Sequence, residues 1–303
     1  MNAKKIVVVG STNMDMVVKT SHIPTPGETV LGGSFFMNPG GKGANQAVAV
    51  ARLGGNVLFV SKIGNDVFGK QAAQLFKAEG IDTSCIFFDE KLPSGIALIT
   101  VDAAGENSIV VAPGANANLL PADVEGALKG ISTGGIILLQ LEIPLATVQY
   151  VSAYAAEKGI RVILNPAPAA ILPAQFLSYV DVITPNSTEA SMIAGINVLD
   201  IETAKQAAAR IRELGVGNVV ITMGSAGALV LEGGVFTHIP ARKVQPVDTT
   251  AAGDVFNGAL AVALSEDKTL SDAVRFACEA AAVSVTRLGA QSSIPYRNEL
   301  VNR

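Results

Sequence analysis

With 303 residues, 49% of them hydrophobic and 16% charged, the chain can hold one large α/β domain or two smaller ones around a sizeable core. A net charge of −4 and the lack of any Lys/Arg run argue against nucleic acid as a partner. Apolar runs of strand length only, and a Met1-Asn-Ala-Lys-Lys5 start that leads straight into a strand, argue against a membrane span or signal peptide and for a cytoplasmic location.

Ile6 to Val9 reads as a buried first strand ending in the polar turn Gly10-Ser-Thr-Asn13, where a parallel sheet would meet its ligand. Asn13 and Asp15 then stand either as turn-capping residues or as ligand contacts. Met16 to Lys19 and Thr29 to Met37 are expected as short strands around the Pro24-Thr-Pro-Gly27 turn, and Gly95 to Val101 with Asn107 to Ala112 as a hairpin. These segments, within 14–37 and 93–113, lack intervening helices and predict a small separate sheet, with Phe35, Phe36, Ile96 and Leu98 as its apolar face. Elsewhere an Ala-rich helix from Gln46 to Leu53 ends at Gly54-Gly55, a strand runs from Asn56 to Ile63, and an amphipathic helix spans Phe68 to Ala78 with Asp66 at its N-cap.

From Pro121 onward, strands at Gly135 to Leu141, Arg161 to Asn165, Asp181 to Thr184 and Asn218 to Thr222 alternate with helices near Pro144 to Lys158, Leu172 to Tyr179 and Thr203 to Leu214. Such alternation predicts a largely parallel sheet covered on both faces. A strand-to-strand glycine turn at Thr222 to Ala228, a helix from Val255 to Leu264 and a long Ala-rich helix from Leu270 to Arg287 complete the pattern. Cys85 and Cys278 read as buried free thiols, and two histidines, His22 and His238, are too few for a catalytic triad or a histidine-rich metal centre.

Two stretches carry the chemistry. In Gly40-Gly-Lys-Gly-Ala-Asn45 the glycines allow a backbone to approach a ligand closely; a tight strand-to-helix turn accounts for Gly40 but not for Lys42 and Asn45 together. It is no Walker A loop, because Gly43 follows Lys42 where Ser or Thr would be needed, and the chain has no dinucleotide fingerprint. The second stretch, Asp248-Thr-Thr-Ala-Ala-Gly-Asp254, opens a helix whose first N–H groups, at Ala251, Ala252 and Gly253, lack intrahelical acceptors and suit an anion. Asp254 is then either an acidic first-turn residue favoured by the helix dipole or a base for an incoming nucleophile. Further polar residues close strands at Gln140-Leu-Glu142, Asn165-Pro-Ala-Pro168 and Thr184-Pro-Asn186-Ser-Thr-Glu189, where Glu189 also suits the first turn of a short helix.

Together the two stretches, the first continued through Gln46-Ala47, resemble the N- and C-terminal signatures of the ribokinase family of sugar kinases, and the likeness extends along essentially the whole chain. It implies a three-layer αβα ribokinase-like domain over 1–303, with a mostly parallel central sheet and a small β-sheet lid from 14–37 and 93–113 that in several members also forms the dimer interface. The implied activity is ATP-dependent phosphorylation of a sugar, D-ribose at O5 being favoured over deoxyribose, fructose or a nucleoside. By the same resemblance Asp254 is the general base, the amides of Ala251 to Gly253 form the anion hole, and Asn13, Asp15, Gly41, Lys42, Asn45 and Glu142 hold the sugar. The nucleotide falls to Asn186, Thr222, Gly224, Gly253 and the position of Cys278, where relatives often carry Asn or His. Glu189 organises a hydrated magnesium ion, and potassium is expected among Asp248, Thr250, Ser284, Arg287, Gly289 and Ser293, several through backbone carbonyls.

Overall fold

Four consecutive apolar residues, Ile6 to Val9, can be buried only if both faces of their strand are covered. Strand β1 (Lys5–Val9) meets that condition: Ile6 and Val8 enter one core cluster, Val7 and Val9 another on the opposite face of the sheet. The structure, a computed structural model, describes residues 4–301; residues 1–3 and 302–303 of the expected 1–303 unit, including the first three residues of the expected lead-in, lie outside the described residues.

After β1 come β2 (Asn13–Lys19), β3 (Ser34–Gly40), α1 (Lys42–Arg52), β4 (Asn56–Gly64), α2 (Val67–Ala78), β5 (Asp82–Asp89), β6 (Gly95–Val101) and β7 (Asn107–Ala112). The alternating half follows with α3 (Pro121–Lys129), β8 (Ile136–Leu139), α4 (Leu145–Lys158), β9 (Arg161–Leu164), α5 (Ala174–Leu177), β10 (Val182–Ile183), α6 (Ser187–Ala194), α7 (Ile201–Glu213) and β11 (Asn218–Thr222). The hairpin β12 (Ala228–Glu232) and β13 (Val235–Ile239) leads to α8 (Ala252–Ser265), α9 (Leu270–Ser284) and α10 (Asn298–Val301).

Nine strands form one sheet in the order β13-β12-β11-β10-β9-β8-β1-β4-β5, parallel except where β12 pairs with β11 and β13. Helices α1, α2, α8 and α9 cover one face; α3, α4 and α7 cover the other. This is the expected three-layer αβα arrangement. The second sheet, β3-β2-β6-β7, has the expected four strands, with β2 and β6 running parallel and the outer pairs antiparallel.

Several expectations are corrected. The third strand begins at Ser34 rather than Thr29, because Gly32 and Gly33 adopt φ of 95° and 112° and Gly33 packs on the Lys19 carbonyl, which breaks the ladder. Phe36 does not share a face with Phe35, Ile96 and Leu98: successive strand residues point to opposite sides, and Phe36 pairs with Val17 on the face that also carries Asp15. Strand β5 joins the edge of the large sheet beyond the expected elements, and Cys85 on it is half-exposed rather than buried, whereas Cys278 is buried as expected. The last long helix stops at Ser284, and the helix expected over 172–179 is a single turn at Ala174–Leu177.

Helices α1 and α8 lie almost in backbone contact, since a Cβ on Gly258 would sit 2.5 Å from Ala49 Cβ and 3.0 Å from the Gln46 carbonyl. Gly258→Ala gains roughly 1 kcal/mol of helix propensity and loses about 1–3 kcal/mol to overpacking. We expect a net loss, read as a lower melting temperature by circular dichroism; an unchanged or higher one would show that the two helices can move apart.

Candidate active site

The chain steps from β1 to β4 on one side and later returns to place β8 on the other, so a crevice opens beyond the carboxyl ends of β1 and β8. The polar residues expected at strand ends gather there. Asn13 Oδ1 accepts from Asn116 Nδ2 at 2.8 Å, and Asn116 is fixed in turn by the Thr12 N–H at 2.8 Å and the Thr12 carbonyl at 3.0 Å. This commits the oxygen of Asn13 and leaves its Nδ2 to donate elsewhere. Glu142 Oε2 accepts from Ser11 Oγ at 2.5 Å and from the Lys42 N–H at 3.0 Å, so it supplies the cap of α1 that Gly41 has no side chain to provide. Both glycines of the turn are required. Gly41 holds φ 90° with its Cα against the Asn13 backbone, and a Cβ on Gly40 would lie 2.2 Å from Asp15 Oδ2.

Asp254, in the first turn of α8, is buried. Its Oδ2 accepts from Asn45 Nδ2 at 2.9 Å and its Oδ1 from Gln46 Nε2 at 3.0 Å, so the two signature stretches meet in two hydrogen bonds. Asn45 Oδ1 is buried without a partner, an orphan acceptor at the edge of this cluster. Ala251, the N-cap, stands in the left-handed region at φ 61°, unusual for a residue with a side chain and costing about 1 kcal/mol. Asn257 braces the turn behind it, donating to the Gly253 carbonyl at 2.8 Å and accepting from Thr184 Oγ1 at 2.6 Å. Of the three expected anion-hole amides, that of Ala252 closes a turn onto the Thr249 carbonyl at 3.2 Å, while those of Ala251 and Gly253 have no acceptor among the described residues.

Lys42 faces Asp254, Glu142, Glu189 and Asp15 together. Burial alone would lower its ammonium value, but the four carboxylates outweigh it and raise it. Burial raises Asp254, against Lys42 and its two amide donors, and burial likewise raises Glu189. Asp15 is pushed up to about 7 by burial and by the nearby Glu142 and Asp254, with Lys42 opposing.

On the other flank, Asn186 and Glu189 form a reciprocal cap on α6, Asn186 Oδ1 accepting from the Glu189 N–H at 2.8 Å and Glu189 Oε2 from the Asn186 N–H at 2.9 Å. Asn186 bridges to Thr222, which ends β11, and Gly224 follows at φ 55° in an exposed turn. Cys278 belongs to the apolar core under α8 and α9, where burial pushes its thiol up to about 11. Asp248 clasps two loops, accepting from the Thr250 N–H through Oδ1 and from the Gly289 N–H through Oδ2, both at 2.9 Å. The Ser284 carbonyl accepts from the Arg287 amide at 3.0 Å, the Arg287 guanidinium pairs with Glu299, and buried Ser293 donates to the Ala290 carbonyl at 2.8 Å. Thus Asp248, Thr250 and Gly289 are directly linked, while Arg287 turns its charge outward.

With this geometry in view, residues 3–297 match the model of the pfkB family carbohydrate kinases. The chain belongs to that family. It is 45% identical to ribokinase of Haemophilus influenzae, over 98% of this chain and 97% of the relative, and 38% identical to deoxyribokinase of Salmonella typhi, over 96% and 95%. It also superposes on the solved structure of Arabidopsis thaliana ribokinase complexed with ribose and ATP at a TM-score of 0.91 and 33% identity, covering 99% of this chain and 98% of that one. The resemblance read from the two signatures therefore holds for this family of carbohydrate kinases.

Sequence reasoning missed Asn116 and Asn257, and it named Gln46 and Gln140 only as a helix start and a strand-end residue. Each is a buried polar residue, and at Gln140 and Asn257 the interruption of an apolar stretch was the available signal. One consequence of the acidic cluster is measurable without substrate. Asp15 rises from 3.8 to about 7 on folding, so the folded chain binds the extra proton in that window and its stability falls as pH rises through it. Asp15→Asn is therefore expected to melt higher than the parent at pH 8 and close to it at pH 4; the reverse order would contradict the charge cluster.

Proposed function

We propose that this carbohydrate kinase transfers the γ-phosphoryl group of ATP to O5 of D-ribose, with Asp254 as general base. The observation that carries the reading is the buried Asp254 carboxylate, held by two amides at a helix start beside Lys42. A carboxylate whose value is raised above the ordinary range accepts a hydroxyl proton more readily than a solvated one. In this reading Asn13, Asp15, Gly41, Lys42, Asn45 and Glu142 hold the sugar, the orphan Oδ1 of Asn45 accepting one of its hydroxyls. Holding both substrates in line supplies most of the rate that positioning can give. The free amides of Ala251 and Gly253, with Ala252 between them, face the transferring group. Asn186, Thr222, Gly224 and the region of Cys278 take the nucleotide.

In this reading magnesium would be carried on the ATP phosphates, and Glu189, held at the start of α6, would meet it through water. Magnesium there would neutralise phosphate charge. The oxygen-rich loops at 248–250 and 284–293 suit a monovalent cation held largely by backbone carbonyls, with Asp248 fixing the two loops together. The four-stranded sheet is read as the sugar lid. Its face opposite Asp15 aligns Phe35, Met37, Leu98 and Val110, exposed by 59%, 48%, 50% and 64%, and this strip supports a homodimer through the lid. A cytoplasmic placement goes with ATP as phosphoryl donor.

The deciding assay follows ADP release from MgATP with D-ribose, 2-deoxyribose, fructose, adenosine or no sugar, with and without potassium. Ribose is expected to give the highest turnover, with potassium raising it, and Asp254→Asn to lower kcat by about a hundred- to ten-thousand-fold. A preference for 2-deoxyribose would keep the chemistry and change the sugar; sugar binding without turnover would make the chain a sensor. For the dimer, Val110→Asp is expected to halve the mass seen by sedimentation, and an unaltered mass would place any interface elsewhere.

A further inference from the structure

Gln46 sits in the second turn of α1, directly before the run Ala47-Val-Ala-Val-Ala51, and is completely buried. Its side chain makes three internal bonds. Nε2 donates to Asp254 Oδ1 at 3.0 Å and to Asn165 Oδ1 at 3.1 Å, while Oε1 accepts from Gln140 Nε2 at 2.5 Å. Both amide protons are thereby used, and the orientation is fixed: turning the amide over would set its oxygen against two acceptor oxygens and its nitrogen against a donor. Gln140 holds this position although its own Oε1 is buried without a partner, packed where Gly10 leaves no room for a side chain. An arrangement that leaves a buried polar atom unsatisfied costs stability. What it secures is the orientation of Gln46.

The other donor to Asp254, Asn45, has its remaining oxygen free to meet substrate. Gln46 has no such freedom, and no ligand can reach it. We propose that Gln46, locked by Gln140 and Asn165, is a positioning residue for Asp254, fixing the plane of the carboxylate and supplying Oδ1 with a donor that substrate cannot displace. The inference rests on the reading of Asp254 as base. Other charges facing Asp254 are Lys42, which favours its ionised form, and Glu142, Glu189 and Asp15, which oppose it. Against that acidic surround the Gln46 N–H favours the ionised carboxylate, so removing it makes the proton harder to lose.

The test is the acid limb of kcat at saturating sugar and MgATP, which reports the base in the ternary complex. Gln46→Met keeps the length of the side chain and removes both polar atoms; it is expected to move that limb up by about one pH unit. At pH values below the limb kcat should then fall about tenfold, as a limb displaced that far requires, with little loss above it and a much smaller change in sugar KM. Gln140→Met, which leaves Gln46 in place but frees its amide, should move the limb the same way by less. Melting temperatures establish which variants are folded. An acid limb unmoved in the folded variants overturns the proposal, and if Gln46→Met does not fold, Gln140→Met decides alone. Asp254→Asn separates the two ideas: an active Asp254→Asn protein overturns the base itself, whereas an inactive one beside an unmoved limb overturns only the role of Gln46.

Discussion

Two hydrogen bonds from the amides of Asn45 and Gln46 to the carboxylate of Asp254 hold the site together. A buried carboxylate is strongly destabilising unless it is paired or well bonded, and here both its oxygens are met by donors from a single helix. For those donors to reach, α1 and α8 must run nearly in backbone contact, which is why Gly258 and Ala49 face each other between them. Packing of small residues and placement of a charge are thus one requirement. Glu142 completes it from the sheet, binding the first amide of α1 and so setting where that helix begins.

The start of α8 works differently. Ala251 takes up a left-handed conformation that glycine would adopt freely, and Asn257 ties the next turn to the end of β10. Strain in the backbone and a brace beside it fix the direction of the amides before any ligand arrives. Preorganised dipoles of this kind need not reorient as charge develops.

Much of the fold was legible because burial dictates pattern. β6, β7 and β11 match the ranges read from the sequence, since each is a β-branched run between turn residues. β3 starts later than its sequence suggests because Thr29 to Leu31 look like strand while the next two glycines take conformations outside the ladder. β5 is an edge strand of mixed burial and gives no clean alternation. Within the site, residues inside the two signatures could be read from their motifs. Gln140, Asn116 and Asn257 could not, because each acts on a partner 94, 103 and 73 residues away in sequence, and only the fold supplies the juxtaposition. The opposed faces of Phe35 and Phe36 were legible from strand period alone.

Asn13 and Asp15 belong to the four-stranded sheet, whereas Lys42, Asn45, Glu142 and Asp254 belong to α1, α8 and the ends of the larger one. Three carboxylates, at Asp15, Glu142 and Asp254, therefore press on one lysine from two separate layers of the molecule. Lys42 is the one opposite charge among them, so it offsets their mutual repulsion and ties the smaller sheet electrostatically to the larger one. Replacing that lysine by a neutral residue would leave like charges facing one another across the two sheets, so a single side chain on α1 sets how well the layers tolerate each other.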